Sequence, residues 1–203
     1  MTVNLNKGDK IELRKSNGEA MRNIIIGLGW DPLPPPKKSG FLSFFSKETK
    51  QSEVDCDASA LLCKDGKVSG NRDIISYCNL MNENGSVKHS GDNESGEGEG
   101  DDETITVALD KVPEAYDGII VVVSIYQAKS RRQHFGMIQN AFVRIVDADD
   151  DQEICRFDLS ENYKGVTGML FGKLSRNGNE WVFDAMGEGL EEEDITTLAL
   201  RFQ

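Results

Sequence analysis

The chain has 203 residues, 35 acidic against 23 basic side chains for a formal net charge of −12, and 38% hydrophobic residues. That length allows one full core or at most two small ones, and the acidic balance excludes nucleic acid and anionic membrane surfaces as the main partner. Seven of the carboxylates fall within residues 91–103, GDNESGEGEGDDE, and without them the charge is only −5, so the acidity is local.

In chain order, MRNIIIGLGWD (21–31) is β-branched in its middle and closes on Gly-Trp-Asp, which predicts a strand running into a turn. Residues 32–53 open with prolines that fix an extended backbone and continue with lysine, serine and glycine, which predicts a long loop or insertion. Its FLSFF stretch folds onto the body of the protein or offers a docking patch. Residues 54–63, 72–79 and 103–110 are expected as strands, the last placing Ile105, Val107 and Leu109 on one face. The apolar run at 118–126 is a buried central strand, far short of the roughly 20 residues a membrane helix needs. SRRQHFGMIQ (130–139) is polar and suggests one helical turn. Strands follow at 140–147 and 153–159, and then GMLFGKLSR and NEWVFDAM flank Asn177-Gly178, a strong hairpin signal. The tail from 190 closes as a helix or a strand. Many short strands about ten residues apart with little helix between them predict an all-β antiparallel sandwich with few short helices, a single domain over 1–203 with the insertion near 32–53.

The run at 91–103 raises an electrostatic question. Two like charges about 7 Å apart repel by roughly 2.4 kcal/mol at an effective dielectric of 20. The segment therefore stays extended and solvated, as an acidic linker does, or a cation orders it. Calcium takes six to eight oxygens and favours flexible backbone that also offers carbonyls. Asp92, Asn93, Glu97, Glu99, Asp101, Asp102 and Glu103 are candidate donors, and the interleaved glycines let the backbone fold tightly. Asp55 and Asp57, two residues apart at the start of a strand, point to one face and would complete a coordination sphere with oxygen enough for two calcium ions. The flanking GSVKH and ETITVALD look structured, which favours the metal site over the linker. By contrast DADDDQEICRFD (147–158) only mimics an EF-hand: its acids at Asp147, Asp149, Asp151 and Asp158 are spaced as ligands, but Gln152 stands where glycine is needed, so a hairpin turn is expected.

Other chemistry is thinly represented. Cys56, Cys63, Cys78 and Cys155 form no CxxC pair and no zinc spacing, and Met1 is not followed by a basic then apolar leader; reduced thiols and a cytoplasmic location are expected. The two histidines, His89 and His134, do not assemble a nucleophile, a base and a group to hold the base. His89 is expected as a strand histidine satisfied locally. Arg131-Arg132 is a solvated turn or a dock for an acidic partner.

GSVKHSGDNESGEGEGDDE (85–103) resembles the signature of the TerD family, the tellurite-resistance and general-stress proteins. GLGWD (27–31), DCDASALLC (55–63), SIYQAKSRRQHFGMIQNAFVRIVD (124–147), ICRFDLSENY (154–163) and MLFGKL (169–174) extend the resemblance over nearly the whole chain outside 32–53. Ser95 stands where threonine is usual, Cys78 where an aromatic or small residue is common, and the Pro/Lys/Phe-rich insertion is not expected from the resemblance. The resemblance implies a compact β-sandwich that binds calcium through its acidic loop and carries no established enzymatic activity. It places the acidic motif on Asp92, Asn93, Glu97, Glu99, Asp101, Asp102 and Glu103 and the Asp-x-Asp-Ala-Ser pair on Asp55 and Asp57. The expected function is a calcium-binding module of a bacterial stress response that acts on unknown protein partners and touches membranes only through them. The alternatives are a metal-dependent hydrolase using the same acids and a metal-independent acidic interaction surface.

Overall fold

The computed structural model describes residues 2–33, 53–96, 98–159, 163–191 and 194–203. Its strands are β1 (Val3–Asn4), β2 (Lys10–Glu12), β3 (Asn23–Pro32), β4 (Cys56–Cys63), β5 (Ile74–Ile75), β6 (Val87–His89), β7 (Glu103–Ala108), β8 (Gly118–Ile125), β9 (Ile138–Asp147), β10 (Gln152–Asp158), β11 (Gly168–Asn177) and β12 (Glu180–Leu190). Two short helices join them, α1 (Ala128–Arg131) and α2 (Ile195–Leu200). The strands form two six-stranded sheets, in the orders β1-β10-β9-β3-β7-β6 and β2-β12-β11-β8-β4-β5. Every pairing is antiparallel except that of the two-residue β1 with β10. The chain is thus the all-β sandwich its patterning predicts. No helix among the described residues is long and apolar enough to cross a membrane.

Period-two alternation builds the main core. In one sheet Ile24, Ile26, Leu28 and Trp30 of β3 point inward beside Ile105 and Val107 of β7, and in the other Ala58, Ala60 and Leu62 of β4 meet Val121 and Val123 of β8. The central strands β4 and β8 are buried along their whole length. The reason is a second apolar layer: Leu61, Cys63, Ile120 and Val122 on their other face pack under Leu198 and Ala199 of α2. A strand covered on both faces loses its alternation and becomes a continuous apolar run, as GIIVVVSI does. Asp194 caps α2 by accepting the Thr197 N–H at 2.9 Å, which settles the tail as a helix.

Two expectations shift on the structure. Residues 72–79 are not one strand: a 3-10 turn at Asn71–Asp73 leads into the two-residue β5, and Ser76 and Asn79 then close a tight turn through backbone bonds of 3.0 and 3.1 Å. The polar residues Ser76, Tyr77 and Asn79 supply turn chemistry there rather than an alternating face. The hairpin between β11 and β12 is one residue out of the expected frame. Asn177 pairs with Glu180, so the two loop residues are Gly178 and Asn179, with Gly178 at φ 62°, and a type II′ turn requires glycine at its first central position. β1, β2 and β6, of two or three residues each, are too short to show any period in the sequence. The EF-hand mimic is the β9–β10 hairpin: Asp147 pairs with Gln152, and the Lys15 ammonium lies 2.6 Å from Asp149 and 3.5 Å from Asp147, a lysine filling the place of an ion. Of the insertion, residues 34–52 with the FLSFF stretch lie outside the described residues.

Candidate metal centre

The site forms where β4 leaves its sheet partner. β5 pairs with β4 only at Ala60 and Leu61, so among the described residues the N-terminal half of β4 has β8 on one side and no strand on the other. Two side chains from the opposite sheet replace that strand. Glu103, fully buried at the start of β7, accepts the Ala58 N–H at 2.7 Å. His89, at the end of β6, meets the Ala58 carbonyl through Nε2 at 3.1 Å and Glu103 at 3.3 Å. Its Nδ1 accepts the Gly91 N–H at 3.0 Å, which assigns the ring proton to Nε2 and makes that nitrogen a donor. The second Glu103 oxygen accepts the Asn93 N–H at 3.3 Å. Gly91 and Asn93 are thereby pinned, and Asp92 between them is aimed at β4.

The alternation of β4 does the rest. Cys56 and Ala58 point into the main core, so Asp55 and Asp57 share the opposite face, and one carboxylate oxygen each from Asp55, Asp57 and Asp92 lie within 4.8 Å of one another. Asp55 and Asp57 are 5% and 4% exposed, whereas Asp92 faces solvent. Asp55 Oδ1 is buried and has no hydrogen-bond partner, and its Oδ2 lies 3.5 Å from Arg131 Nη1. Burial first, then the charge of Asp92, pushes the Asp55 carboxyl up to about 6 against the partial relief of Arg131. Burial, Glu103, Asp55 and Asp92 together push Asp57 up to about 8. Full ionisation of the three carboxylates is thus strongly opposed in the arrangement the fold holds. An orphaned buried oxygen beside two more carboxylates, with no thiolate or imidazole in the cluster, fits a hard cation.

The other candidates are placed elsewhere. Asp101 lies on the outer side of β3, where Arg144 of β9 grips it with Nε and Nη2 at 2.7 and 3.0 Å. Gly27 makes that possible, since a Cβ there would sit 2.3 Å from the Asp101 carboxyl, and Gly29 likewise admits the Gly100 carbonyl. The Asp102 side chain accepts the Trp30 N–H at 2.9 Å, and its N–H bonds to Leu28 O at 2.7 Å, continuing the β3–β7 ladder. Burial raises its carboxyl. Asn93 Oδ1 closes a side-chain turn onto the N–H groups of Ser95 and Gly96, each at 3.2 Å. Glu99 is exposed, and Glu97 lies outside the described residues. The structure therefore gathers Asp55, Asp57 and Asp92, sets Glu103 and Asn93 beside them as ties, and uses Asp101 and Asp102 to seat the loop on β3. Sequence reasoning missed Arg131 and Arg144 as the cations that face these acids. Glycines two apart in GLGWD were a usable signal, because they bare one face of a strand for close approach.

Gly27→Ala is expected to lift Asp101 from its seat and cost about 1–3 kcal/mol, as overpacking does. Amide exchange over 98–102 should accelerate while 119–123 in β8 stays protected; unchanged exchange at 98–102 would show that the clamp does not hold the loop.

The TerD domain family model matches residues 1–202. The chain is 44% identical over 190 residues to the tellurium resistance protein TerD of Serratia marcescens, an alignment covering 93% of this chain and 91% of that protein. It is 40% identical over 204 residues to the stress response protein SCP2 of Bacillus subtilis (strain 168), covering all of both. A solved homologue of the telluride resistance protein (TerD) from Streptomyces coelicolor A3(2) superposes with a TM-score of 0.67 at 18% identity, covering 88% of this chain and 95% of that one, a likeness of fold.

Proposed function

We propose, for a chain that belongs to the TerD family of tellurium-resistance and stress-response proteins, a non-enzymatic role as a calcium-dependent binding module of a bacterial cytoplasm. The observation that carries the proposal is the convergence of Asp55, Asp57 and Asp92 to within 4.8 Å around an Asp55 oxygen that has no partner of its own. Calcium would supply charge neutralisation: with a cation present, burial no longer disfavours the ionised carboxylates. Asp55 just before β4 and Asp57 on it hold their positions, and Asp92 is brought to them by Gly91 and Asn93. The protein partner reads the ordered segment around Asp92, and tellurium resistance follows indirectly, because tellurite is an anion and three carboxylates repel it. Of the two ions expected, the proposal assigns one to this cluster; among the described residues no second cluster has such spacing.

The hydrolase alternative draws less support. Both His89 nitrogens are engaged, with the Gly91 N–H and the Ala58 carbonyl, so that ring does not act as the base. The relatives bear resistance and stress names rather than those of enzymes.

The test is thermal unfolding with calcium and with chelator. For a dissociation constant of about 1 μM, about 1 mM calcium stabilises the folded state by roughly 4 kcal/mol. In a chain of this size that is about 10 °C in Tm. A melting curve indifferent to calcium and to chelator would sink the proposal.

A further inference from the structure

Among the described residues, one cation of the protein itself reaches the cluster. Arg131 ends α1, its Nη1 lies 3.5 Å from Asp55 Oδ2, and its guanidinium stacks over the Tyr126 ring at 4.8 Å. The segment that presents it is moored on all sides. Ala128 is buried in the main core, the Tyr126 N–H bonds to the Asp55 carbonyl at 2.9 Å, and Gln133 Nε2 donates to Glu53 O at 3.1 Å. The turn is flanked by Gln127 and Arg132, both at positive φ, 51° and 56°. Such residues persist where the surroundings over-determine the backbone, and they collect at functional sites.

From this geometry, and resting on the calcium reading above, we infer that Arg131 is a built-in counter-cation that sets how tightly the Asp55–Asp57–Asp92 site binds a metal and selects the ion's charge. Three ionised carboxylates and one guanidinium carry −2, the charge that a single divalent ion cancels. Arg131 opposes any entering cation, and it opposes a trivalent one more strongly in proportion to its charge. It also quiets the site in the absence of metal, because its guanidinium lies 3.5 Å from the Asp55 carboxylate. Arg131 is a positioning and selectivity residue, not a ligand.

Calcium and terbium(III) titrations of the full chain, followed by calorimetry, separate the possibilities. Arg131→Gln should bind calcium about tenfold more tightly and, because the repulsion scales with ion charge, terbium about thirtyfold more tightly. The same variant should melt lower without metal and gain more from calcium than the parent chain does. Arg131→Lys, which keeps the charge, should return both affinities most of the way. Equal or weaker calcium binding by Arg131→Gln beside normal binding by the parent chain overturns the counter-cation role alone. Equal gains for the two ions would make the effect steric and overturn it as well. If the parent chain binds neither ion, the calcium reading fails and this inference fails with it.

Discussion

Asp57→Asn is expected to raise the stability of the metal-free protein at pH 8 while abolishing its response to calcium. Asp57 is 4% exposed, and burial with the charges of Glu103, Asp55 and Asp92 pushes its carboxyl up to about 8. In the unfolded chain the same group titrates near 3.9. The folded state therefore holds more protons across the interval from about pH 4 to pH 8. Stability associated with this proton is complete below the unfolded value and is lost as pH rises through the folded one. Asp55, pushed up to about 6, adds the same sign over a narrower window. The metal-free parent should thus lose on the order of 3 kcal/mol between pH 5 and pH 8, and Asp57→Asn should flatten most of that slope. Calcium reverses the sign, because binding requires the ionised forms. Near pH 7 each ion bound should release close to one proton, taken mainly from Asp57, and calorimetry in buffers of different ionisation enthalpy reads that number directly. A metal-free parent that grows more stable from pH 5 to pH 8, or an Asp57→Asn variant that still gains about 10 °C from calcium, would contradict the assignment.

What could be read in the sequence follows the range of the forces involved. The period of two in Ile24, Ile26 and Leu28 or in Ile105 and Val107 is a local rule, and the sandwich followed from repeating it. The pairing of Asp55 with Asp57 was legible for the same reason, since residues two apart in a strand share a face. Asp101 shows where that reasoning ends. As one of seven carboxylates in a short run it is indistinguishable from Asp92, yet Arg144, 43 positions away, claims it for the opposite side of β3. Composition could not divide the run into ligands and anchors because the division is made by the partners each acid meets. Arg131 was visible only as half of a basic dipeptide; its neighbour Arg132 is exposed, and nothing in the two residues says which one turns inward. In the 72–79 segment, Ile74 and Ile75 satisfied a strand expectation that the turn chemistry of Ser76 and Asn79 then cut short.

Glu103 provides the sharper separation between ligand and tie. Its carboxylate is fully buried, holds the Ala58 N–H at 2.7 Å and the Asn93 N–H at 3.3 Å, and so joins the start of β7 in one sheet to the open edge of β4 in the other. Glu103→Ala leaves two donors without partners and a void between the sheets. At about 1–3 kcal/mol for each buried unsatisfied group, together with the cavity, the loss should reach about 4 kcal/mol and lower Tm by roughly 10 °C. Glu103→Gln keeps the volume and one acceptor, so it should cost much less and leave the chain folded. The Gln variant then decides the role. As a tie, it should bind calcium within about tenfold of the parent, since only one outlying charge is lost. It should also release fewer protons on binding near pH 7, because removing the Glu103 charge withdraws a cause of the raised Asp57 carboxyl. A metal ligand replaced by an amide would instead lose binding outright. A folded Glu103→Gln that no longer binds calcium would move Glu103 from the scaffold into the coordination sphere, and with it the centre of the site from the Asp55 and Asp57 face of β4 to the cleft between the two sheets.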